Sequence, residues 1–328
     1  MSTRRDFITL LGGTAVGWPL AARAQQAQVP VIGYLSSGSL ESNARTEPAF
    51  RKGLAEIGFV EGRNVAIEYR RADGQYERLP GLAAELVRRP VNLIAAAGAT
   101  ASALAAKAAT TTIPIVFNIG ADPVAVGLVP SLSRPGGNLT GVGYLATTIG
   151  AKILEVLHEA APGATVVAAL MNPGNPNSEF DKAQAREAAR VLGLELHILE
   201  AASEREIDTA FATLLQRGVK ALLIEGDPFF TIRIKQLVAL SVRYAMPAIY
   251  PGRDFVDAGG LMSYSADRLD SFRVAGTYAG RVLKGEKPAN LPVQQSTKIE
   301  MIINLTTAKA IGLTMPLSLL GRADEVIE

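Results

Sequence analysis

The sequence predicts an α/β protein built from two doubly wound, Rossmann-like lobes in tandem. Short apolar runs that end in turn residues alternate with longer stretches of helical periodicity along the 328 residues. The apolar runs show no alternation with polar residues, which is typical of parallel strands covered by helices on both faces. The same pattern starts again near Thr165, which indicates a second unit with the architecture of the first.

In the first half, predicted strands alternate with predicted helices. We expect strands at residues 29–35, 65–69, 91–97 and 113–117. Phe50, Leu54 and Ile57 fall at i, i+4 and i+7, which is the spacing of the buried stripe of a helix. A second amphipathic helix is expected between residues 79 and 87, and an alanine-rich one between residues 100 and 109.

The second half repeats this order of strands and helices. We expect strands at residues 166–171, 194–199, 219–224, 248–250 and 261–264, with amphipathic helices between them. The turn-rich stretch 133–141 suits a junction between the halves, and 284–296 suits a second linker. A strand at 299–303 and a helix at 306–311 follow that linker, so we expect the chain to cross between the lobes more than once.

The first 24 residues have the features of a removable export signal. Arg4 and Arg5 precede an apolar stretch from about residue 7 to 22, and Ala22-Arg23-Ala24 supplies the small residues that a signal peptidase accepts. Paired arginines before a modest apolar core are typical of the bacterial twin-arginine route. The stretch is shorter than the ~20 apolar residues of a membrane anchor. We therefore expect a protein of the periplasm, with no membrane insertion after cleavage.

Charge and cysteine content exclude several kinds of partner and chemistry. Removal of residues 1–24 takes away three arginines and one aspartate, so the 33 basic and 31 acidic residues of the full chain become 30 of each. A neutral chain lacks the clustered positive charge that binds nucleic acids and anionic membranes. The sequence contains no cysteine, which excludes disulfides, thiol chemistry, a lipid anchor on cysteine and most zinc sites. We expect a soluble monomer without metals or cofactors.

The motifs of common α/β enzymes are missing from the sequence. Residues 33–38 (GYLSSG) stand where a G-x-G-x-x-G fingerprint would follow the first strand, and neither a P-loop nor a G-x-S-x-G nucleophile elbow occurs. His158 falls inside a predicted helix and His197 inside a predicted strand, away from the strand ends where α/β proteins place functional groups. These absences favour a binding protein over an enzyme.

The candidate binding residues of the first half follow its strands, where α/β sheets bind ligands. Backbone N–H groups and the helix dipole at residues 98–102 form a favourable site for a carboxylate, although Thr100 is equally suited to cap its helix. Asp122 before Pro123 has the pattern of a helix N-cap, which is the alternative to ligand contact. The first-half candidates are Ser36, Ser37, Gly98, Thr100, Ala101, Asn118, Asp122 and Tyr144.

The second half offers amides, acids and aromatic rings at corresponding positions. Asparagines after the strand at 166–171 are able to hydrogen-bond an amino or carboxyl group, although asparagine is also a common turn former. A carboxylate after the strand at 219–224 would hold a ligand ammonium, with Phe229 stacked on it. Tyrosines at strand ends suit a closing cleft, but packing explains each ring equally well. The second-half candidates are Asn172, Asn177, Glu225, Asp227, Tyr250 and Tyr264.

Several segments carry motifs of a known protein family. They are 21–26 (AARAQQ), 122–124 (DPV), 134–141 (RPGGNLTG), 226–230 (GDPFF), 258–264 (AGGLMSY), 302–313 (IINLTTAKAIGL), Leu320 and 323–328 (ADEVIE). Through them the chain resembles, over essentially its whole length, the bacterial ABC-transporter substrate-binding proteins of the tryptophan/tyrosine type. The segment 302–313 is the most specific of these motifs.

The resemblance implies a type-I periplasmic binding protein fold, in which two lobes joined by about three crossovers close on a small ligand. We expect lobe 1 at 29–141 plus about 266–292, and lobe 2 at 142–265 plus about 297–328. The better-known relatives look like binders of aromatic amino acids, whose carboxylate is held by the turn that corresponds to residues 98–101. The family often has glycine where this chain has Ser265, a difference that narrows or re-polarises the expected cleft mouth.

These inferences predict the periplasmic solute-binding component of an ABC importer, with a permease and its ATPase as partners. The expected ligand is a small carboxylate, first of all an aromatic or hydrophobic amino acid. Two alternatives remain open at this point. A ligand sensor for a signalling partner would use the same closure, and an enzyme would use Glu225 or Asp227 as a base.

Overall fold

The computed structural model describes residues 29–144 and 150–328, and the predicted export signal lies outside these residues. In the first described part, strands and helices alternate as the sequence predicts. The elements are β1 (Val31–Ser36), α1 (Thr46–Glu56), β2 (Ala66–Arg71), α2 (Leu79–Val87), β3 (Leu93–Ala97), α3 (Thr100–Ala109), β4 (Ile115–Ile119) and β5 (Leu139–Gly143).

The middle of the chain repeats the same order. Its elements are α4 (Gly150–Ala160), β6 (Val166–Met171), α5 (Ser178–Leu192), β7 (Glu195–Glu200), α6 (Glu204–Gln216), β8 (Ala221–Ile224), α7 (Pro228–Ile232), α8 (Ile234–Arg243), β9 (Ala248–Tyr250), α9 (Arg253–Asp257) and β10 (Met262–Ala266). The last part contains α10 (Arg268–Leu283), β11 (Gln294–Gln295), β12 (Ile299–Asn304), α11 (Leu305–Ala310), α12 (Leu317–Leu320) and β13 (Glu325–Ile327).

The strands form two sheets, each the centre of one lobe. The sheet of lobe 1 has the order β11-β5-β4-β3-β1-β2, and its paired strands are parallel. The sheet of lobe 2 has the order β13-β12-β10-β9-β8-β6-β7, in which β10 and β12 pair antiparallel and the other pairs are parallel. Each sheet carries an apolar core on both faces. The predicted doubly wound, two-lobed α/β architecture is confirmed.

Within the described residues, the path changes sheet three times. It passes from β5 to α4, from β10 to α10, and from β11 to β12. The second passage is the shortest, because only Asp267 separates the last residue of β10 from the first residue of α10. A segment that connects the lobes therefore lies immediately beside the strand ends.

One stretch with the composition of a junction is in part a buried strand. The composition of residues 133–141 predicts turns, but Leu139–Gly143 forms β5, which pairs with β4 and is buried along its length. Gly141 allows this pairing at close range, because a Cβ atom there would lie 2.1 Å from the carbonyl oxygen of Phe117. Glycine in this stretch therefore reflects close packing as well as turn formation.

Helix α10 follows a strand of lobe 2 but packs on α1 of lobe 1. A Cβ atom on Gly53 would lie 1.8 Å from the carbonyl oxygen of Arg273, and one on Gly276 would lie 2.0 Å from that of Phe50. The two helix backbones thus touch, and the side chain of any other residue would separate them. This contact fixes the position of the first turn of α10 relative to lobe 1.

Candidate ligand-binding cleft

A cavity of about 130 Å³ lies between the two lobes. Its wall includes residues at the carboxyl ends of β3, β6, β8, β9 and β10, so the strand ends of both sheets meet there. In open α/β sheets, ligands bind outside these strand ends. The cavity is therefore the candidate binding site.

The wall from lobe 1 consists largely of a turn between β3 and α3. Gly98 in this turn has a φ of +89°, a conformation that favours glycine. The N-cap residue of α3 is Ala99, whose methyl side chain offers no oxygen to the first N–H groups of the helix. Thr100 is therefore not the capping residue. Its Oγ1 accepts a hydrogen bond from Asn177 Nδ2 of lobe 2 at 3.1 Å.

Glu225, directly after β8, places a buried carboxyl group in the wall from lobe 2. It accepts hydrogen bonds from the N–H of Asn172 at 2.6 Å and from Asn175 Nδ2 at 3.0 Å. The pKa of Glu225 is raised to about 9, mainly because the group is buried and secondly because the Asp227 carboxylate lies nearby. Glu225 is consequently protonated at neutral pH.

Asp227 is the N-cap of α7 and connects the two lobes. Its Oδ1 accepts hydrogen bonds from the N–H of Phe229 at 2.7 Å and from Asn172 Nδ2 at 3.0 Å. Its Oδ2 accepts a hydrogen bond from the hydroxyl of Tyr76 in lobe 1. Burial raises the pKa of Asp227, and these hydrogen bonds act in the opposite direction. Both carboxyl oxygens are thus already engaged by the protein.

A third carboxyl group, that of Asp181 in the first turn of α5, lines the same wall. Burial raises the pKa of Asp181 to about 6, while a hydrogen bond with Glu225 opposes the shift. The neighbouring cation Lys182 is paired with Glu179 at 2.6 Å and with Glu200 at 2.5 Å, so it does not compensate Asp181. Sequence reasoning missed Asp181 because an acid in the first turn is a common response to the helix dipole.

Among the described residues, Arg268 is the one basic side chain in the cavity lining. It is the first residue of α10, directly after the crossover from β10. Over residues 29–144 and 150–328, no carboxylate comes within 4.0 Å of its guanidinium, and its buried Nε lacks a hydrogen-bond partner. Sequence reasoning missed this residue as well, because no motif distinguishes an arginine at a crossover.

The rest of the wall is apolar or aromatic. Tyr250 is 1% exposed and stacks on Phe255 with ring centroids 5.1 Å apart, so its ring is fixed. Such a wall suits a ligand with an apolar body and polar ends. The larger apolar and aromatic side chains of the lining are Tyr144, Ile153, Met171, Leu223, Tyr250 and Tyr264.

The structure brings most of the sequence-derived candidates to this cavity. Those that line it are Gly98, Thr100, Tyr144, Asn177, Glu225, Asp227, Tyr250 and Tyr264. The others are Ser36, Ser37, Ala101, Asn118, Asp122 and Asn172, which the structure places outside the lining. Asn175, Asp181, Ser265 and Arg268 line the cavity without having been candidates.

The candidates outside the lining have partners within the protein. Ser36 Oγ accepts from Asn43 Nδ2 at 2.8 Å, and Ser37 Oγ lies 2.7 Å from Ser102 Oγ. Asn118 Nδ2 donates to Ser271 Oγ at 3.3 Å.

Asp122 and Asn172 have supporting roles. Asp122 accepts a hydrogen bond from the N–H of Val124 at 2.8 Å, in agreement with the capping alternative. Asn172 holds both Glu225 and Asp227 from behind the wall. The strand ends therefore predicted the edge of each sheet at which the cavity lies, but several side chains there face the protein interior.

The lobes also touch at the outer rim of the cleft. Arg45 of lobe 1 donates to Asp254 at 2.6 Å and to Asp257 at 3.0 Å in lobe 2. Lys235 of lobe 2 lies 3.2 Å from Glu41 of lobe 1. Together with the Tyr76–Asp227 and Thr100–Asn177 hydrogen bonds, these ion pairs join the two lobes.

His158 in α4 and His197 in β7 lie outside the cavity lining. Across the part of the chain that the structure describes, no cluster of three or more His, Asp or Glu side chains is placed to hold a metal ion. In the same residues, none of the helices combines the length and the apolar character needed to cross a membrane.

Comparison with known proteins places this geometry in a functional context. Residues 28–327 match the family described as ABC transporter substrate binding protein. The chain is also similar to a tyrosine-binding protein of Clostridioides difficile (strain R20291), with 27% identity over 270 residues, which cover 82% of this chain and 77% of that protein.

Solved structures show the same similarity. The ABC domain in complex with L-Trp from Streptococcus pneumoniae is 27% identical, with a TM-score of 0.82 over 91% of this chain and 99% of that one. The ligand-free, open structure of a substrate-binding protein with adhesive properties from Clostridium difficile is 25% identical, with a TM-score of 0.64 over 91% and 99%. The expected type-I periplasmic binding protein fold is confirmed. Because the family match extends over nearly the whole chain, the protein belongs to the ABC transporter substrate-binding protein family.

Proposed function

We propose that this protein is the exported solute-binding component of an ABC importer and captures a small carboxylate between its lobes, first of all an aromatic or hydrophobic amino acid. As a member of its family it is a binding protein and not an enzyme, and it works outside the cytoplasm. The observation that carries the ligand class is the composition of the cavity. Its lining combines a helix start, three carboxyl groups and apolar side chains.

The turn at residues 98–100 supports the carboxylate part of this proposal. The first N–H groups of α3 lack a capping side chain from Ala99, so they retain their capacity for an anion. The positive end of the helix dipole favours a negative charge at the same place. Gly98 lets a ligand approach the backbone closely, because no Cβ atom stands in the way.

The apolar wall and the relatives support the aromatic or hydrophobic part. Tyrosines and aliphatic side chains are among the lining residues, and they would contact the apolar body of an amino acid. Of the similar proteins, one is described as binding tyrosine and another was solved in complex with L-Trp. At 27% identity, the ligands of these two proteins support aromatic amino acids as the class of ligand for this chain.

Closure of the lobes is the proposed signal to the transporter. The resemblance is greater to the L-Trp complex, with a TM-score of 0.82, than to the ligand-free open structure, with 0.64. This difference supports a closed state stabilised by ligand, which the permease would select. The interlobe contacts of Thr100 and Tyr76 are formed in that state.

The remaining parts of the proposal concern export and partners. The paired arginines Arg4 and Arg5 favour the twin-arginine route, with cleavage after Ala24. The mature chain lacks a cysteine that could carry a lipid anchor and so would diffuse freely in the periplasm. We expect it to be a monomer. Its partners would be a permease with its ATPase. Its neutral charge argues against binding of nucleic acid, and no membrane insertion of the mature chain is expected.

The test is a binding screen of the mature protein, residues 25–328. The single tryptophan of the sequence is Trp18, inside the proposed leader, so the fluorescence of added L-Trp would be observed without a protein tryptophan background. We expect the twenty amino acids, aromatic carboxylic acids and sugars to divide clearly in thermal-shift measurements. Aromatic and hydrophobic amino acids should raise the melting temperature, because they bind only the folded protein.

Stabilisation by sugars without stabilisation by any amino acid or carboxylic acid would contradict the proposed ligand class.

Export is tested separately, by replacing both Arg4 and Arg5 with lysine in the full-length protein. We expect the precursor to accumulate in the cytoplasm. Unchanged export would show that the leader uses another route.

A further inference from the structure

The charged groups of the cavity differ in how far the protein itself satisfies them. Within the described residues, the lining contains the acids Asp181, Glu225 and Asp227 and the base Arg268. Asp227 accepts three hydrogen bonds, and Glu225 accepts two. These two acids have structural partners, and their hydrogen bonds hold the wall together.

Asp181 is not satisfied in this way. In the part of the chain that the structure describes, no N–H group donates to its carboxyl, and its hydrogen-bonding neighbour is the carboxyl of Glu225. With a pKa of about 6 for Asp181 and about 9 for Glu225, this pair holds about one proton and one negative charge at pH 7. A half-buried negative charge without a cation is costly unless a ligand compensates it.

Arg268 is the complementary case. It carries a full positive charge in the cavity lining, and among residues 29–144 and 150–328 it has no ion-pair partner. Its Nε is buried and unpaired, although guanidinium N–H groups usually find an acceptor. Phe272, one turn further along α10, packs 3.9 Å from where a Cβ on Gly98 would stand, so Arg268 and the 98–100 turn belong to the same side of the cleft.

We propose that Asp181 and Arg268 select a dipolar ligand, with an ammonium group held by Asp181 and a carboxylate held by Arg268. This inference rests on the proposed function and narrows its ligand class from small carboxylates to zwitterions such as α-amino acids. It also fixes the orientation of the ligand. The ammonium faces α5 of lobe 2, and the carboxylate faces the start of α10 on the side of lobe 1.

Selectivity follows from the charged side chain that a ligand with only one charge would leave unpaired. A carboxylic acid without an amine would pair with Arg268 but leave Asp181 enclosed without a cation. An amine without a carboxylate would leave Arg268 uncompensated. Removing one partner of an enclosed ion pair costs more than the pair contributes, so a ligand with both charges is favoured over either half.

The experiment compares three compounds with the same aromatic body. L-Trp carries both charges, tryptamine only the amine, and indole-3-propionate only the carboxylate. Their dissociation constants are measured calorimetrically at pH 7.5 with the mature wild-type protein and with the variants Asp181→Asn and Arg268→Gln. We expect the wild type to prefer L-Trp over both other compounds by at least tenfold.

The two variants should lose affinity for different compounds. Asp181→Asn should lower the affinity for L-Trp about 10- to 100-fold and leave the affinity for indole-3-propionate unchanged or higher. Arg268→Gln should lower the affinity for L-Trp and indole-3-propionate, and leave the affinity for tryptamine unchanged or higher. The matched controls are Glu187→Gln on α5 and Arg281→Gln on α10, whose charges lie outside the cavity lining. Both should bind L-Trp like the wild type.

Several results would overturn the inference. One is an equal affinity of the wild type for L-Trp and indole-3-propionate. Another is a variant that is folded but loses affinity for all three compounds to the same degree. A third is binding of uncharged solutes alone. A different result separates this inference from the proposed function. If the wild type binds no aromatic compound but binds another of the twenty amino acids, the proposed ligand class is wrong. The inference is then decided by that amino acid, its amine and its carboxylic acid with the same variants.

Discussion

The two walls of the cleft present ligand-binding groups by different means. Lobe 1 presents a backbone turn and a helix start beside α10, and the position of α10 depends on its packing against α1. Lobe 2 presents carboxyl groups that asparagine side chains and backbone N–H groups hold in place.

Because of this difference, different kinds of change should disrupt the two walls. A wall made of backbone is disrupted by changes in packing far from the ligand, and it is insensitive to pH. A wall made of buried acids is disrupted by removal of a single hydrogen-bond acceptor, and its energy depends on protonation. Substitutions in and behind each wall test this contrast.

The largest expected effect concerns the packing behind the lobe 1 wall. Gly53→Val should lower the free energy of unfolding by about 3 kcal/mol, because the new side chain would overlap the backbone of α10 at Arg273. Urea denaturation followed by circular dichroism measures this change. The control is Gly81→Ala in α2, where a Cβ atom meets nothing within 4 Å and helix propensity should add up to about 1 kcal/mol. Equal stability of the two variants would show that the α1–α10 contact is not close.

The next effect concerns the hydrogen-bond network of the lobe 2 wall. Asp227→Ala should destabilise the protein by about 2–3 kcal/mol, because Asn172, Phe229 and Tyr76 all lose their acceptor in a buried site. The same denaturation experiment measures it. Asp122→Ala is the comparison in lobe 1, where an exposed acid caps a turn and should contribute about 1 kcal/mol. A larger loss at Asp122 would contradict the assignment of the acid-held wall to lobe 2.

The third prediction uses the protonation of Asp181. Since the pKa of Asp181 is raised from 3.8 to about 6, the folded ligand-free protein binds more protons than the unfolded chain between these values. Its stability from this group is therefore highest at low pH, falls as the pH rises from about 4 to 6, and stays reduced above that range. Asp181→Asn should remove this loss and stabilise the ligand-free protein by about 2–3 kcal/mol at pH 7.

Thermal melts of wild type and variant at pH 4, 5, 6 and 7 test the prediction. The difference between them should grow with pH up to about 6 and then remain constant. Glu225 and Asp227, which face the same cavity, are present in both proteins, but the Asp181 charge helps to raise the pKa of Glu225, so the variant also lowers the pKa of Glu225 toward its ordinary value. A difference that is independent of pH would mean that Asp181 is not titrating in the folded state.

The smallest expected effect concerns the contact between the walls. Thr100→Val removes the acceptor for Asn177 Nδ2 and should weaken ligand affinity about 5- to 10-fold, which corresponds to about 1 kcal/mol. Thr100→Ser keeps the hydroxyl and should bind like the wild type. Asn177→Ala combined with Thr100→Val should be no weaker than either single variant, because the two act through the same hydrogen bond. Additive losses, or unchanged affinity in Thr100→Val, would show that this contact does not contribute to closure.

The fold was predictable because its signals are local and repeated. Apolar runs and helical stripes located most strands and the helices α1, α2 and α3. The strand β5 was missed because glycine and asparagine in 133–141 have the composition of a turn, whereas Gly141 in fact permits close strand pairing. Local composition does not distinguish these two uses of glycine.

The site was predictable to the level of the sheet edge. Strand ends located Gly98, Thr100, Glu225 and Asp227 at the cavity, but they did not tell in which direction Ser36 and Asn118 point. Asp181 and Arg268 could not be found in this way, because neither follows a strand as the first residue of a binding loop. Their significance depends on the lack of charged partners around them within the described residues, and sequence spacing does not encode that property.

The order of elements along the chain has a consequence for biosynthesis. Lobe 1 needs α10 to cover the face of its sheet that carries Ile32 and Tyr34, yet α10 follows nearly all of lobe 2. Lobe 2 in turn needs β12, which ends at Asn304. A chain growing from its N-terminus therefore exposes part of both cores until about residue 300 has left the ribosome. Neither half can finish folding as an early, independent unit, in contrast to proteins whose domains are consecutive in sequence.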